Sequence, residues 1–261
     1  MGRDEAHLGW AKTGAQACIG LVVYNDAMNK RFRTIQREVV DCRRCSRLVT
    51  WREEVAATRR RAFIDQDYWG RPVPAFGDEQ ARVLVLGLAP AAHGANRTGR
   101  QFTGDSSGDW LFRALHRAGF ASQAESVSSE DGMRLTDLLI TSPVRCAPPG
   151  NKPTVDELSA CSDYLMGELA ALDTVEVVVA LGGIAWKTYL RTAQRLGCDL
   201  PSPRPKFGHL SHVADGLPHE LLGSFHPSRL NTQTGRLTET MFDEVFQAVR
   251  QRLGPRKERV P

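Results

Sequence analysis

Four short apolar runs, each followed by a helical pattern, constrain this chain more than any other feature. They span 81–86 (ARVLVL), 135–144, 175–181 (VEVVVAL) and 221–225. Apolar residues follow one another in these runs instead of alternating, which predicts strands buried on both faces. Helical patterns follow at 109–118, 154–172, 184–196 and 239–253. An earlier one at 32–42 is carried by Phe32, Ile35, Val39 and Val40. Strands alternating with helices predict an α/β chain, a three-layer α/β/α sandwich around a central four-stranded parallel sheet. Ligands of such sheets bind beyond the carboxyl ends of the strands. That rule gathers 87–105, 145–153, 182–186 and 226–236 around one cleft.

The 261 residues suit a single large domain at 30–254, preceded by a loosely ordered extension, 1–29, and followed by a basic tail, 255–261. Residues 202–219, rich in Pro, Gly and His, predict a loop or short hairpin. No run reaches the roughly 18 apolar residues of a membrane span. With no such span no membrane partner is expected, and the apolar run 18–24 lacks a small-residue cleavage site, so a cytoplasmic protein is expected. A single domain of this kind needs no partner subunit, and a monomer is expected. A net charge of +4 excludes little, but residues 30–61 hold eleven basic groups against four acidic ones. Most are Arg, whose planar fork suits phosphate oxygens. A basic face for a polyanion therefore stands beside the plainer reading of a solvated helix surface.

Cys42 and Cys45 form a C-x-x-C pair, and Cys146 and Cys161 lie far downstream. Two thiolates on one turn of chain suit a soft metal. Spacing alone leaves zinc, an iron–sulfur cluster and a thioredoxin-like dithiol all open. Cys18 and Cys198 lack such partners and read as small buried residues.

The first strand runs into GLAPAAHGANRTGRQFTGDSSGDWL, residues 87–111. Its glycines permit tight turns and close approach to a ligand. Arg97 and Arg100 are expected to be available to phosphates or a base. Asp105-Ser106-Ser107 reads as a helix N-cap and an anion-friendly helix start. A loop of this length predicts function rather than mere connection.

These residues resemble a known family. Gly87-Leu88-Ala89-Pro90-Ala91 is similar to the first motif of the uracil-DNA glycosylase superfamily, and Ser224-Phe225-His226-Pro227-Ser228 to its second. GLAPAAHG, GRQFTGD and HPSRLNTQTGRLT together resemble family 5, the type B enzymes. The resemblance covers roughly 40–253. It implies removal of uracil, and of other deaminated bases such as hypoxanthine, from DNA by hydrolysis of the N-glycosidic bond. It also implies a structural four-iron four-sulfur (4Fe-4S) cluster on Cys42, Cys45, Cys146 and Cys161, because CRRC … RCAPPGNKPT … C matches the pattern of families 4 and 5.

Such a reaction needs a base turned out of the duplex and help for charge on both fragments. His226 ends a buried strand and precedes a Pro-Ser turn, so its ring is expected to face the cleft; by resemblance it donates to a base carbonyl. The first motif departs from the family at Ala89, where better-known members place an Asp or Asn that holds the attacking water. Asp105 is the carboxylate chosen for that task, alongside its capping role, with Asp109 and His93 as weaker candidates. Gly87, Ala89, Ala91, His93, Phe102 and Ser142 are expected around the base, with Phe102 stacking on it. Ser142 stands where family 4 has an Asn, and with Ala89 it predicts a permissive pocket. Ser228, Arg229, Leu230, Asn231, Gln233 and Arg236 are expected to meet DNA, with Leu230 and Arg229 entering the gap left by the base. No Lys in GLAPAAHG, GRQFTGD or HPSRLNTQTGRLT offers a Schiff base, so strand cleavage is not expected. A redox protein built on the C-x-x-C pair and a binding module without catalysis are the alternatives.

Overall fold

A computed structural model of the chain describes residues 26–254. The run 18–24, Cys18, the basic tail and most of the expected N-terminal extension lie outside the described residues. Four parallel strands form the centre: β2 (Val83–Leu86), β3 (Leu138–Thr141), β4 (Val177–Leu181) and β6 (Glu220–Ser224). Two-residue edge strands, β1 (Phe76–Gly77) and β5 (His212–Val213), pair antiparallel, giving the order β1-β3-β2-β4-β6-β5. β5 realises the short hairpin expected within 202–219.

Successive residues of each central strand point to opposite faces, and both faces are covered. Val83, Val85, Ile140, Val179 and Leu222 pack under α4 (Ser106–Arg117) and α8 (Glu239–Arg252), against Leu111, Phe112, Phe242 and Phe246. Leu84, Leu86, Leu139, Val178 and Leu221 pack on the other side. There they meet α1 (Asp26–Val40), α5 (Val155–Ala171) and α6 (Gly183–Arg195) through Phe32, Leu165, Leu169, Trp186 and Tyr189. This is the three-layer sandwich the apolar runs predict. Thr154 starts α5 with a capping box, its hydroxyl accepting from Glu157 N while the Glu157 carboxylate accepts from Thr154 N.

Two expectations are corrected, and one helix stands where none was expected. Helix α1 begins at Asp26, so residues 26–29 belong to the domain and not to a loose extension. Helix α2 (Ser46–Thr58) was not foreseen, because its buried face includes Arg52 beside Leu48, Val49 and Val55. Short helices α3 (Ala95–Thr98) and α7 (Arg229–Gln233) interrupt segments expected to be loop. Among the described residues no helix is long and apolar enough to cross a membrane.

The chain leaves β2 for β3 on one side and later reaches β4 on the other. The carboxyl end of β2 is therefore the topological switch point, where such sheets open a crevice.

Candidate active site

Gly87 follows β2 at that switch point, and its N–H donates to Thr141 O at 2.9 Å. It must be glycine: a Cβ there would lie 2.7 Å from the ring of Phe102 and 3.3 Å from Ser142 Oγ. Phe102 itself sits at φ +54°, an uncommon conformation for a bulky residue. Gly108 makes this bend feasible, since a Cβ there would lie 1.7 Å from the Phe102 carbonyl oxygen. Such local strain is characteristic of functional loops.

His226 lies just beyond β6. Its carbonyl accepts from Asn231 Nδ2 at 2.8 Å, and its Cβ would be 3.5 Å from a Cβ on Gly182, at the end of β4. The imidazole meets the Phe102 ring with centroids 5.9 Å apart and planes 30° from parallel. The loops after β2 and β6 thus converge. Desolvation pushes the His226 imidazolium down to about 4, so the ring is neutral at pH 7. A neutral imidazole offers one N–H donor without bringing a charge into the pocket.

Asp105 caps α4. Its Oδ1 accepts from Ser107 N at 2.9 Å and Gly108 N at 3.0 Å. Its Oδ2 lies against Gly94, where any Cβ would be 2.1 Å away. Burial raises the Asp105 pKa above the ordinary carboxylate range, and the two backbone donors oppose that rise. The carboxylate is thus a desolvated cap on the loop that carries Phe102. Asp109 lies one turn into the helix and is exposed, its pKa raised by partial desolvation. His93 is engaged elsewhere: its Nδ1 meets Tyr68 Oη at 3.0 Å. Ala91 uses its carbonyl to accept from Gly94 N and Asn96 N, and Ala89 packs toward the cysteines.

Arg97 and Arg100 are not available to DNA, contrary to expectation. Arg97 is buried, with Nε donating to His93 O at 2.9 Å and Nη2 to Gly104 O at 3.0 Å. Arg100 is buried against Asp131, with Nη2 at 2.6 Å and 2.8 Å from the two carboxylate oxygens and Nε donating to Thr103 Oγ1. Both brace the loop from inside. Asn231 is likewise a support for His226, and Ser228 caps α7 by accepting from Asn231 N at 3.4 Å. Arg229 and Leu230 do project outward, Leu230 being 72% exposed beside the His226 turn. Arg236 is also exposed, its guanidinium 4.7 Å from the centre of the Phe225 ring. Sequence reasoning missed Gln101, which is buried with Oε1 2.9 Å from Ser142 Oγ.

Cys42, Cys45, Cys146 and Cys161 line one small cavity that Leu48, Val49 and Val144 close on the apolar side. They come from the end of α1, the start of α2, the segment after β3 and the body of α5. Cys198 is buried elsewhere, in the core against α6. Among the described residues no group of three or more His, Cys, Asp or Glu closes on a single metal ion, these four thiols included. Burial pushes the Cys146 thiol up to about 11 and the Cys161 thiol up to about 12. A redox dithiol on the C-x-x-C pair requires a lowered thiol pKa, whereas burial and the neighbouring Cys42 raise that of Cys45.

Residues 74–250 match the model of the Uracil DNA glycosylase superfamily. The chain belongs to the uracil-DNA glycosylase superfamily. Within this superfamily it is similar to a type-5 uracil-DNA glycosylase of Mycobacterium bovis, 54% identical over 214 residues, which covers 82% of this chain and 78% of that protein. A type-5 uracil-DNA glycosylase of Thermus thermophilus is 50% identical over 213 residues, 82% of this chain and 94% of the relative. Likeness to type 4 is weaker: the Archaeoglobus fulgidus protein is 30% identical over 152 residues, 58% of this chain and 59% of its own length. The superfamily match begins downstream of Cys42 and Cys45, on an element order that starts with the β1 edge.

Proposed function

We propose that this chain is a DNA-repair glycosylase that hydrolyses the N-glycosidic bond of uracil in DNA and leaves an abasic site. The observation that carries the reading is the meeting of Phe102 and His226 at the switch point, with Asp105 on the same loop as Phe102. An extruded uracil stacks on Phe102 while the neutral His226 donates to a base carbonyl. The C1′–N1 bond breaks and its electron pair leaves with the base, whose anion that donor stabilises. Water adds its oxygen to C1′, and Asp105 holds that water and takes its proton. The Ala89 side chain supplies no hydrogen bond to water, and Asp105 is the carboxylate on the same loop that takes the task. Hypoxanthine falls within the same pocket chemistry.

A duplex with one uracil, incubated with the protein and then treated with alkali, tests this. Strand breaks at the uracil position are the expected product, and an intact strand contradicts the reading. Leu230→Ala is expected to slow cleavage in duplex about tenfold and to spare single strands, because only a duplex leaves a gap to fill. Single-turnover rates on both substrates check it; equal slowing would remove Leu230 from that role.

The four cysteines fit a 4Fe-4S cluster in their donor chemistry and in their surroundings. Arg52 is buried, with Nη1 2.9 Å from Cys146 Sγ and Nε without a partner. Arg145 pairs through Nη2 with the buried Glu168 carboxylate, while its Nε and Nη1 have no partner. Arg52 has the half-exposed Glu53 at 3.7 Å, yet a buried cation set against a thiol still favours an anion, and a cluster with four thiolate ligands carries negative charge. When bound, it would join α1, α2, α5 and the segment after β3, a structural contribution away from the reacting bond. Arg52→Met is expected to speed iron loss to a chelator about 10- to 100-fold. Iron and sulfide content with the decay of the brown absorbance check this, and release at the wild-type rate would separate Arg52 from the cluster.

A further inference from the structure

Ser142 stands directly after β3, with its hydroxyl buried beside Gly87 and the edge of Phe102. The Ser142 hydroxyl donates to Gln101 Oε1 at 2.9 Å. The amide orientation follows from its other end. Gln101 Nε2 donates to Val73 O at 3.2 Å, and a carbonyl oxygen can only accept. Oε1 must therefore face Ser142, and it too can only accept. A serine hydroxyl has one hydrogen and two lone pairs. With that hydrogen committed to Gln101, Ser142 meets anything in the pocket as an acceptor alone.

We propose that Gln101 is a positioning residue that sets base specificity by holding Ser142 as an acceptor, so that the pocket favours bases with a ring N–H on the edge that pairs. Cytosine presents a lone pair at N3, and deamination to uracil replaces it with N3–H. Adenine presents a lone pair at N1, and deamination to hypoxanthine replaces it with N1–H. One fixed acceptor therefore tells both deaminated bases from their parents, whatever the ring size. Thymine and guanine carry the same N–H, and this contact does not exclude them. The inference rests on the glycosylase reading and deepens it, since it names the substrate class by a hydrogen at one position. It also uses residues that the arrangement of the pocket already brings together: a side chain at Gly87 would strike both Phe102 and Ser142.

The test compares wild type, Gln101→Met, Ser142→Ala and the double variant by single-turnover cleavage of duplexes containing uracil or hypoxanthine. Gln101→Met is expected to lower both rates about tenfold, because the freed hydroxyl can turn its hydrogen against the base N–H. In the Ser142→Ala background the same change is expected to cost nothing further. A second readout pairs 5-fluorouracil with 5-fluorocytosine, which differ at N3 in the sense that matters. Gln101→Met is expected to narrow the preference for 5-fluorouracil about tenfold, a change that loosened packing does not produce. Additive losses in the double variant, or an unchanged preference, would overturn the role of Gln101. A wild-type protein that cleaves none of these duplexes would overturn the glycosylase reading and this inference with it.

Discussion

Asp105→Asn is expected to lower single-turnover cleavage of a uracil-containing duplex about 10³-fold while leaving the melting temperature nearly unchanged. The two effects separate because the proposed mechanism gives Asp105 a second task beside its cap. As a cap it accepts from Ser107 N and Gly108 N, and an Asn carbonyl does this equally well. As a base it needs a negative charge, which Asn lacks. Asp105→Ala removes both, and is expected to cost about 1 kcal/mol of stability besides the activity. The pH profile gives an independent check. Burial raises the Asp105 pKa, with Asp109 adding to the rise and Arg97 opposing it. The ionised form is the active one, so activity is lost as pH falls through that raised value. The acid limb is therefore expected above the ordinary Asp value of about 3.9, and absent from the residual activity of Asp105→Asn. Full activity in that variant would leave Asp105 as a cap alone.

His226→Ala is expected to lower the cleavage rate about 10²- to 10³-fold, the usual cost of removing one donor aimed at developing negative charge. Substrate affinity should change much less, because the donor acts mainly on the departing anion. Burial holds the His226 imidazolium at about 4, so this residue gives no limb to the pH profile between about pH 5 and 8. His226→Gln retains an N–H and is expected to recover part of the loss. Rates measured across this pH range on both variants check the assignment. A limb near neutrality that vanishes with His226 would mean that the ring acts as imidazolium.

The architecture was legible because burial on both faces writes itself into the sequence. VLVL at 83–86 and VVVAL at 177–181 form central strands where the continuous apolar runs place them. The cleft was legible for the same reason, since carboxyl ends of parallel strands lie on one side. Phe102 and His226 came from motif and position, and the fold puts them together. The arginines were misread. Arg97 and Arg100 stand in a polar, glycine-rich loop that looks solvated, but Asp131 closes on Arg100 from 31 residues downstream. Nothing local records such a partner. Helix α2 escaped for a related reason: Arg52 occupies a buried position, so its apolar period is broken by a cation that meets Cys146 Sγ, 94 residues downstream. Gln101 was passed over as loop, although its amide joins Val73 to Ser142 across the chain.

A crystal structure with free uracil, or with the abasic product, examines the pocket most directly. The ring is expected to stack on Phe102, one of its carbonyl oxygens accepting from His226 and its N3–H directed at Ser142, with Asp105 on the side of C1′. Uracil bound away from the Phe102–His226 pair, or a base whose carbonyls meet no donor from His226, would contradict this account.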